Sequence, residues 1–422
     1  MDKEFYFRMV SFYNRTFFPV ISPHFDDLPD DARNYLNLSR AFTYESFNPR
    51  DGTWQTPWKQ CVPDDYKMPK YDQNFNLSFD EVTDLRAHDI KKILKDNKKI
   101  AVFYSGGIDS TTCLTSLIKN LSKDELAEIS VVLSPDSIIE NPRFYQKFIR
   151  DKIAVIDSAE NTYSDLFEKG YVCVSSDLGD AIFGTELGTK MYSQLGYLAQ
   201  SLSIGDRNLT LSSINSISDP DIHYSNFKFV ISLYLDNILK SKTTSNYDSR
   251  DFNFGEYFYH KFDRNIKTSH VPVYSLHDFF WWMIFNIKYL HCAFRPGVLY
   301  GLGSEKKDIF EKGIIHWFGS DEYQLWSMRN NNNGEKIKGR TQSSYKWAAR
   351  KYIYELDHND WYFHHKIKIG SLPFVMRQNY KKYFKEFDPI FGMDTDYKMI
   401  YMDNIEFNES IIESLYGFRD TL

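Results

Sequence analysis

Cysteine is scarce in this 422-residue chain: Cys61, Cys113, Cys173 and Cys292 are the four present, and no two share a C-x-x-C spacing. That spacing excludes a zinc ribbon and a disulfide framework and fits a reducing cytoplasm. Long apolar runs are missing as well. The longest strongly apolar stretch, Phe279 to Phe285, is far below the roughly 20 residues of a membrane span. The opening Met1-Asp2-Lys3-Glu4-Phe5 has no apolar core of a signal peptide. A soluble, cytoplasmic chain with no membrane partner is expected. Nor is there an excess of basic charge: 51 basic against 57 acidic residues leave −6, the wrong sign for a surface that grips nucleic acid. No sequence repeat of fixed period is present, and the histidines His277, His291, His316, His364 and His365 are too scattered to suggest zinc.

What the chain does have is aromatic bulk. Phe, Tyr and Trp make up 17% of it, rings that suit a packed core and broad binding surfaces. Its length predicts two domains, or one large α/β domain with an appendage. Seven of the 14 prolines (Pro19, Pro23, Pro29, Pro49, Pro57, Pro63, Pro69) lie in the first 70 residues, so residues 1–77 read as a loop-rich N-terminal arm. Ser78 and Glu81 form a capping-box pattern, and Val82, Leu85, Ile90, Ile93 and Leu94 recur at helical spacing, which predicts a helix from about Phe79 to Asp96.

From Lys99 short apolar runs alternate with amphipathic segments. The runs are Ile100–Tyr104, Ile129–Leu133, Ile153–Ile156 and Tyr171–Val174. Four buried strands separated by helices predict an α/β core over residues 78–200, a doubly wound parallel sheet with right-handed crossovers. Residues 201–422 are expected to be mainly helical. Within them, 201–268 read as loops around one helix at Phe227–Leu239. The aromatic segment Leu276–Phe294 is a helix expected to bury Trp281, Trp282, Phe285, Tyr289 and Phe294 against the sheet. Arg329–Gly334 is a low-complexity turn.

The chemistry is carried by Ser105-Gly106-Gly107-Ile108-Asp109-Ser110, between the first strand and the following helix. Two glycines permit a tight turn and close approach of a phosphate. The N–H groups at the helix start, with the hydroxyls of Ser105, Ser110 and Thr111, supply donors to an anion. No G-K-[ST] follows, so this is not a Walker A loop. Asp109 beside a polyphosphate calls for a divalent cation between them, and magnesium answers that need. After the fourth strand, Ser175–Gly184 places two carboxylates and two glycines at a strand's C-terminal end, where open α/β sheets bind ligands.

The S-G-G-x-D-S loop resembles that of the PP-loop ATP pyrophosphatases (the N-type superfamily), with the adenine nucleotide alpha hydrolase-like fold. Ser175–Gly184 is similar to the S-G-E-G-A-D-E-L-F-G-G signature of the asparagine synthetase family. The departures are Ala181 for a Glu, Leu178 for a Gly, Thr185 for the last Gly, and Asp177 for the longer Glu. Phe318–Tyr323 resembles the family's P-F-L-D-x-E-L segment, with Arg295 at the arginine of E-x-R, and Lys366-Ile367-Lys368-Ile369-Gly370 its R-x-K-x-G-F.

The resemblance implies an ATP-dependent amide-forming ligase. It would adenylate a small-molecule or peptide carboxylate with release of pyrophosphate, then pass it to ammonia or an amine with release of AMP. It further implies Asp109 and Asp180 as magnesium ligands and Gly179 among the nucleotide-binding residues. Lys368 is the catalytic lysine, with Lys366 its competitor in register; Lys346 is a second lysine near pyrophosphate, and Asp177 an active-site carboxylate. Adenine is expected against the second strand, read by backbone groups from Val131 to Leu133. Position 2 is Asp2 rather than the nucleophilic cysteine of the glutamine-dependent enzymes. Free ammonia, an amine or a separate glutaminase is therefore expected to supply nitrogen. Two alternatives stand beside this reading. Ser110-Thr111-Thr112-Cys113-Leu114 resembles the segment after the loop in 7-cyano-7-deazaguanine synthases, whose C-terminal cysteine cluster is missing here. The other alternative is an ATP-binding module without turnover.

Overall fold

In the computed structural model the described residues are 49–51, 66–96, 99–158, 161, 163–184, 221–242, 253–290, 292–293, 313–330 and 345–366. They fall into two compact units. One holds the described residues of 78–176, 308–320 and 348–422; the other holds those of 1–77, 177–307 and 321–347.

The first unit is α/β, built on a five-stranded, all-parallel sheet. Helix α1 (Phe79–Lys95) leads in, with the expected capping box: Ser78 accepts from the Glu81 N–H while the Glu81 side chain accepts from the Ser78 N–H. Strand β1 (Lys99–Phe103) runs into α2 (Ile108–Asn120). Then come α3 (Lys123–Ala127), β2 (Ile129–Leu133) and α4 (Pro135–Glu140). A turn at Pro142–Phe144 and a π-helical turn at Tyr145–Ile149 lead to β3 (Ala154–Asp157), α5 (Tyr163–Glu168) and β4 (Tyr171–Ser175).

A fifth strand, β5 (Ile314–His316), joins from far along the chain. The spatial order is β3-β2-β1-β4-β5. β1 takes β2 on one side, with Val102 opposite Val131, and β4 on the other, with Val102 opposite Val174. Its residues Ile100 to Val102 are fully buried and so is most of β2, as near-continuous apolar strands require in a parallel sheet. Strand β5 was not expected from the sequence, because three residues are too short to show a period. Its carbonyl end is satisfied by Arg86 of α1, which donates to the carbonyls of His316 at 2.9 Å and Trp317 at 3.1 Å.

The unit is closed by α11 and α12, whose ranges are Trp347–Asp357 and Asp360–His365. Tyr352 of α11 packs edge-on against Phe79, its hydroxyl bonds the Asp84 carboxylate, and Lys119 lies 3.9 Å over its ring.

The described helices of the second unit are α6 (Gly179–Phe183), α7 (Lys228–Lys242), α8 (Phe254–Thr268), α9 (Leu276–Trp282) continuing as a π-helical stretch Met283–Lys288, and α10 (Asp321–Arg329). Helix α8 corrects the loop reading of 201–268. Asn253 caps its Glu256 N–H, and Phe258, Phe262 and Ile266 recur every four residues as a buried stripe. The Ser and Asn content around it had masked that period. Helices α7 and α8 touch at Gly255, where a Cβ would stand 1.6 Å from the Ser232 carbonyl oxygen. Trp281, Trp282, Phe285 and Tyr289 of the aromatic helix are buried as expected, Phe294 lies outside the described residues, and the partners seen lie within its own unit. Trp281 Nε1 donates to Ser327 Oγ at 2.9 Å, Ser327 donates on to the Ile182 carbonyl, and the Trp281 ring stacks on Phe285. The Asn-rich turn lies outside the described residues from Asn331 on.

Candidate functional site

The loop after β1 is assembled from short-range hydrogen bonds. Ser110 Oγ accepts from the Ser105 N–H at 3.1 Å and donates to the Gly107 carbonyl at 3.1 Å, while Ser105 Oγ accepts from the Gly107 N–H at 3.2 Å. The hydroxyls of Ser105 and Ser110 thus shape the loop. Gly106 has φ +73°, the left-handed region. A Cβ there would lie 2.4 Å from the Ser137 carbonyl oxygen and 2.8 Å from Glu140 Cβ. The demand for glycine therefore comes from α4, independently of any phosphate.

Gly107 is the N-cap of α2 and offers no side-chain oxygen. By contrast Ser78, Ser122, Ser134, Asn253, Ser275 and Asn359 each cap their helices with a side chain. The first N–H groups of a helix have no intrahelical acceptor. On α2, a 13-residue helix, no side chain caps this end, and the helix dipole favours an anion there. These residues fit a phosphate group. Asp109 lies half-buried in the first helical turn, its Oδ1 atom fully buried.

Thr111 is buried and points to the other end of the chain. Its Oγ1 lies 3.2 Å from the Tyr362 hydroxyl, which donates to the Gly106 carbonyl at 2.8 Å. Burial holds the Tyr362 phenol far above its ordinary pKa, so it acts as a neutral donor. Thr112, Cys113 and Leu114 are also fully buried, and burial pushes the Cys113 thiol upward. The S-T-T-C-L likeness therefore falls largely on core positions.

Val131 and Leu133 are fully buried inside β2, which has a neighbour on each side, and the Leu133 carbonyl accepts from the Ser158 N–H at 3.0 Å.

Asp177, Gly179, Asp180 and Lys346 belong to the other unit. Asp177 is half-buried, Gly179 is buried, and Asp180 sits in the first turn of α6. Lys346 Nζ reaches Asp180 Oδ1 at 2.7 Å, and its side chain is only 5% exposed. Its φ of +53° is a left-handed conformation that lysine rarely adopts. Lys346 is thus no solvated surface cation, and the carboxylate proposed for magnesium has a resident ammonium beside it. Among the described residues no three His, Cys, Asp or Glu side chains converge as a metal site. Magnesium bound through one or two carboxylates and phosphates does not require such a cluster.

Lys368 and Arg295 lie outside the described residues. Lys366 does not, and it is buried in an ion pair with Glu140, its Nζ 2.5 Å from Oε1. Sequence reading missed Glu140 altogether. Its only signal was a position at the end of the helix after β2, since the partner is 226 residues away. In the P-F-L-D-like segment Phe318 and Tyr323 are core residues and Asp321 is exposed at the head of α10. No helix among the described residues is long and apolar enough to cross a membrane. No family model matches the chain, and no curated protein and no solved structure matches it either.

Proposed function

We propose that the chain is an ATP-dependent amide-forming ligase of the PP-loop type. It would adenylate a carboxylate with release of pyrophosphate and transfer the acyl group to ammonia or an amine with release of AMP. The observation that carries this reading is the loop Ser105–Ser110. It lies between β1 and an α2 N-terminus that no side chain caps. The order β3-β2-β1-β4-β5 supports the finer, doubly wound arrangement: the chain leaves β1 in one direction and returns to β4 on its other side. Ligands bind at the carboxyl ends of strands at such a reversal.

In this reading the N–H groups of Ile108 to Ser110 receive the polyphosphate, and the hydroxyls of Ser105 and Ser110 keep the loop in the shape that aims them. Tyr362 braces the loop from behind through the Gly106 carbonyl. Alignment and preorganised donors are the main protein contribution to such a displacement. Asp109, in the same unit as the loop, is the proposed magnesium carboxylate; bound magnesium would neutralise charge on the departing pyrophosphate.

The test is formation of AMP and pyrophosphate from Mg-ATP across a panel of carboxylates with ammonium. AMP that depends on the carboxylate and is lost in Asp109→Ala is the expected result. A second reading, an ATP-binding module without turnover, is favoured by one observation: Lys346 already balances Asp180. ATP binding without AMP from any carboxylate would decide for that module.

A further inference from the structure

The serine hydroxyls of the loop hold the N–H groups of Ser105 and Gly107 and the carbonyl of Gly107. The Gly106 carbonyl is held from elsewhere, by the Tyr362 hydroxyl of α12 at 2.8 Å, with Thr111 Oγ1 of α2 3.2 Å from the same oxygen. Glycine enters left-handed and right-handed φ about equally well, so the +73° of Gly106 depends on what packs against it. On α4 that is the Ser137 carbonyl and Glu140, whose Cβ would lie 2.8 Å from a Cβ on Gly106. The partner from α12 needs support of its own, because a six-residue helix is not stable alone. Asn359 caps its start, and Arg350 of α11 donates to the carbonyls of Tyr362 at 3.4 Å and Phe363 at 2.5 Å. Its end is fixed by charge. Lys366, the residue that closes α12, places Nζ 2.5 Å from Glu140 Oε1, and the two side chains are 3% and 2% exposed. Either charge buried alone would be costly, so the pair tolerates little displacement. The two helices that reach Gly106, one through Glu140 and one through Tyr362, are therefore joined to each other about one helical turn beyond Tyr362.

We propose that Glu140 and Lys366 are positioning residues for the phosphate loop, and that they act on it through Tyr362 without touching the ligand. Their ion pair fixes the end of α12 on the end of α4, and so fixes where the Tyr362 hydroxyl meets the Gly106 carbonyl. That bond orients the peptide between Gly106 and Gly107, the N-cap of α2. The direction of the first N–H groups of α2 follows from it. Both charges stay buried with or without an anion, so Lys366 serves the loop from behind rather than as a phosphate-facing cation. This rests on the ATP reading and deepens it, by naming what keeps the loop in its binding shape.

The probe is inorganic pyrophosphate with magnesium, titrated calorimetrically into the full chain at fixed ionic strength. The double variant Glu140→Gln/Lys366→Met removes both charges, so the net charge near the loop is unchanged and no charge is stranded. It is expected to bind pyrophosphate about tenfold more weakly, and Tyr362→Phe about fivefold. Because all three residues act through one bond, the triple variant is expected to bind no more weakly than the double. Glu140→Gln/Lys366→Gln, which can keep a neutral hydrogen bond between the helices, is expected to recover most of the affinity. Should the methionine variant not fold, this glutamine pair takes its place, expected about threefold below wild type and again without further loss when Tyr362→Phe is added. Losses that multiply in the triple variant would mean that the lysine acts on the anion independently of Tyr362, and would overturn the proposal. A lowered melting temperature with wild-type pyrophosphate affinity would overturn it as well, since the pair would then serve packing alone. Absence of pyrophosphate and ATP binding by the wild-type chain would instead overturn the ATP reading on which it stands, so the two failures are separable.

Discussion

Asp357, at the end of α11, carries a carboxylate whose Oδ2 is buried and makes no hydrogen bond, while Oδ1 accepts from the Asn359 N–H at 2.9 Å. Burial raises its pKa above 3.8, and the Asn359 N–H and Lys147 only partly oppose the rise. Because the folded-state pKa is the higher one, the neutral acid stabilises the fold. That contribution is complete below the ordinary carboxyl pKa and is lost as pH rises through the raised value. At neutral pH the buried charge is a cost. Asp357→Asn, which retains the Oδ1 acceptor, is therefore expected to raise Tm by about 1–3 °C at pH 7, with the gain disappearing near pH 3.5; melting scans at the two pH values check it. Arg50 is the opposite case. Its guanidinium lies 3.5 Å over Tyr289 and 4.4 Å over Phe285, donates to the Phe285 carbonyl at 2.9 Å and bonds Gln324. Burial pushes its pKa down to about 10, still charged at neutral pH. Asn286 completes the anchor, accepting from the N–H groups of Arg50 and Asp51 and donating to the Asp51 carboxylate. Arg50→Met keeps much of the volume and loses the bonds and the ring contacts; a loss of about 2–4 kcal/mol is expected in urea unfolding.

Among the elements, the β1–loop–α2 unit tolerates least. Gly106→Ala would force a left-handed φ on alanine and set its Cβ 2.4 Å from backbone oxygen of α4, which flexible side-chain movement cannot relieve. A destabilisation above about 2 kcal/mol is expected, with loss of polyphosphate binding even where the protein stays folded. Tyr362→Phe is milder. It removes a buried donor from the Gly106 carbonyl, so about 1 kcal/mol and a modest fall in pyrophosphate affinity are expected from paired denaturation and titration. These two variants separate the loop's shape from its bracing. The elements themselves were readable where they repeat locally. The capping box of α1, the four expected strands and the start of the aromatic helix at Leu276 all lie within a residue or two of their expected places, while the expected α1 stripe is buried at Val82 and Ile90 and exposed at Leu85. Helix α8 was not, since its stripe of Phe258, Phe262 and Ile266 is thin among polar residues, and β5 was not, since its stability comes from β4 and Arg86 rather than from its own three residues.

For the whole chain, the α/β unit depends on residues far beyond its core strands. α11 and α12 supply Tyr352, Ile353 and Tyr362, all essentially buried, together with Lys366 beside Glu140. A chain ending at residue 347 would leave Phe79, Thr111 and Glu140 without these partners. Such a truncation is expected to lose cooperative unfolding and become protease-sensitive, which circular dichroism and limited proteolysis would report. The sequence by itself determined the nucleotide-loop candidate, because strand, turn, glycines and helix start are consecutive and their hydrogen bonds span at most five residues. It also determined the parallel character of the core, through unbroken apolar runs. Only the tertiary structure decided that Lys366 pairs with Glu140 and that Lys346 sits on Asp180. Those pairings join residues more than 160 positions apart. A long-range contact between two charges is set by how the elements pack and by the cost of burying either charge alone, and neither leaves a periodic trace in the chain.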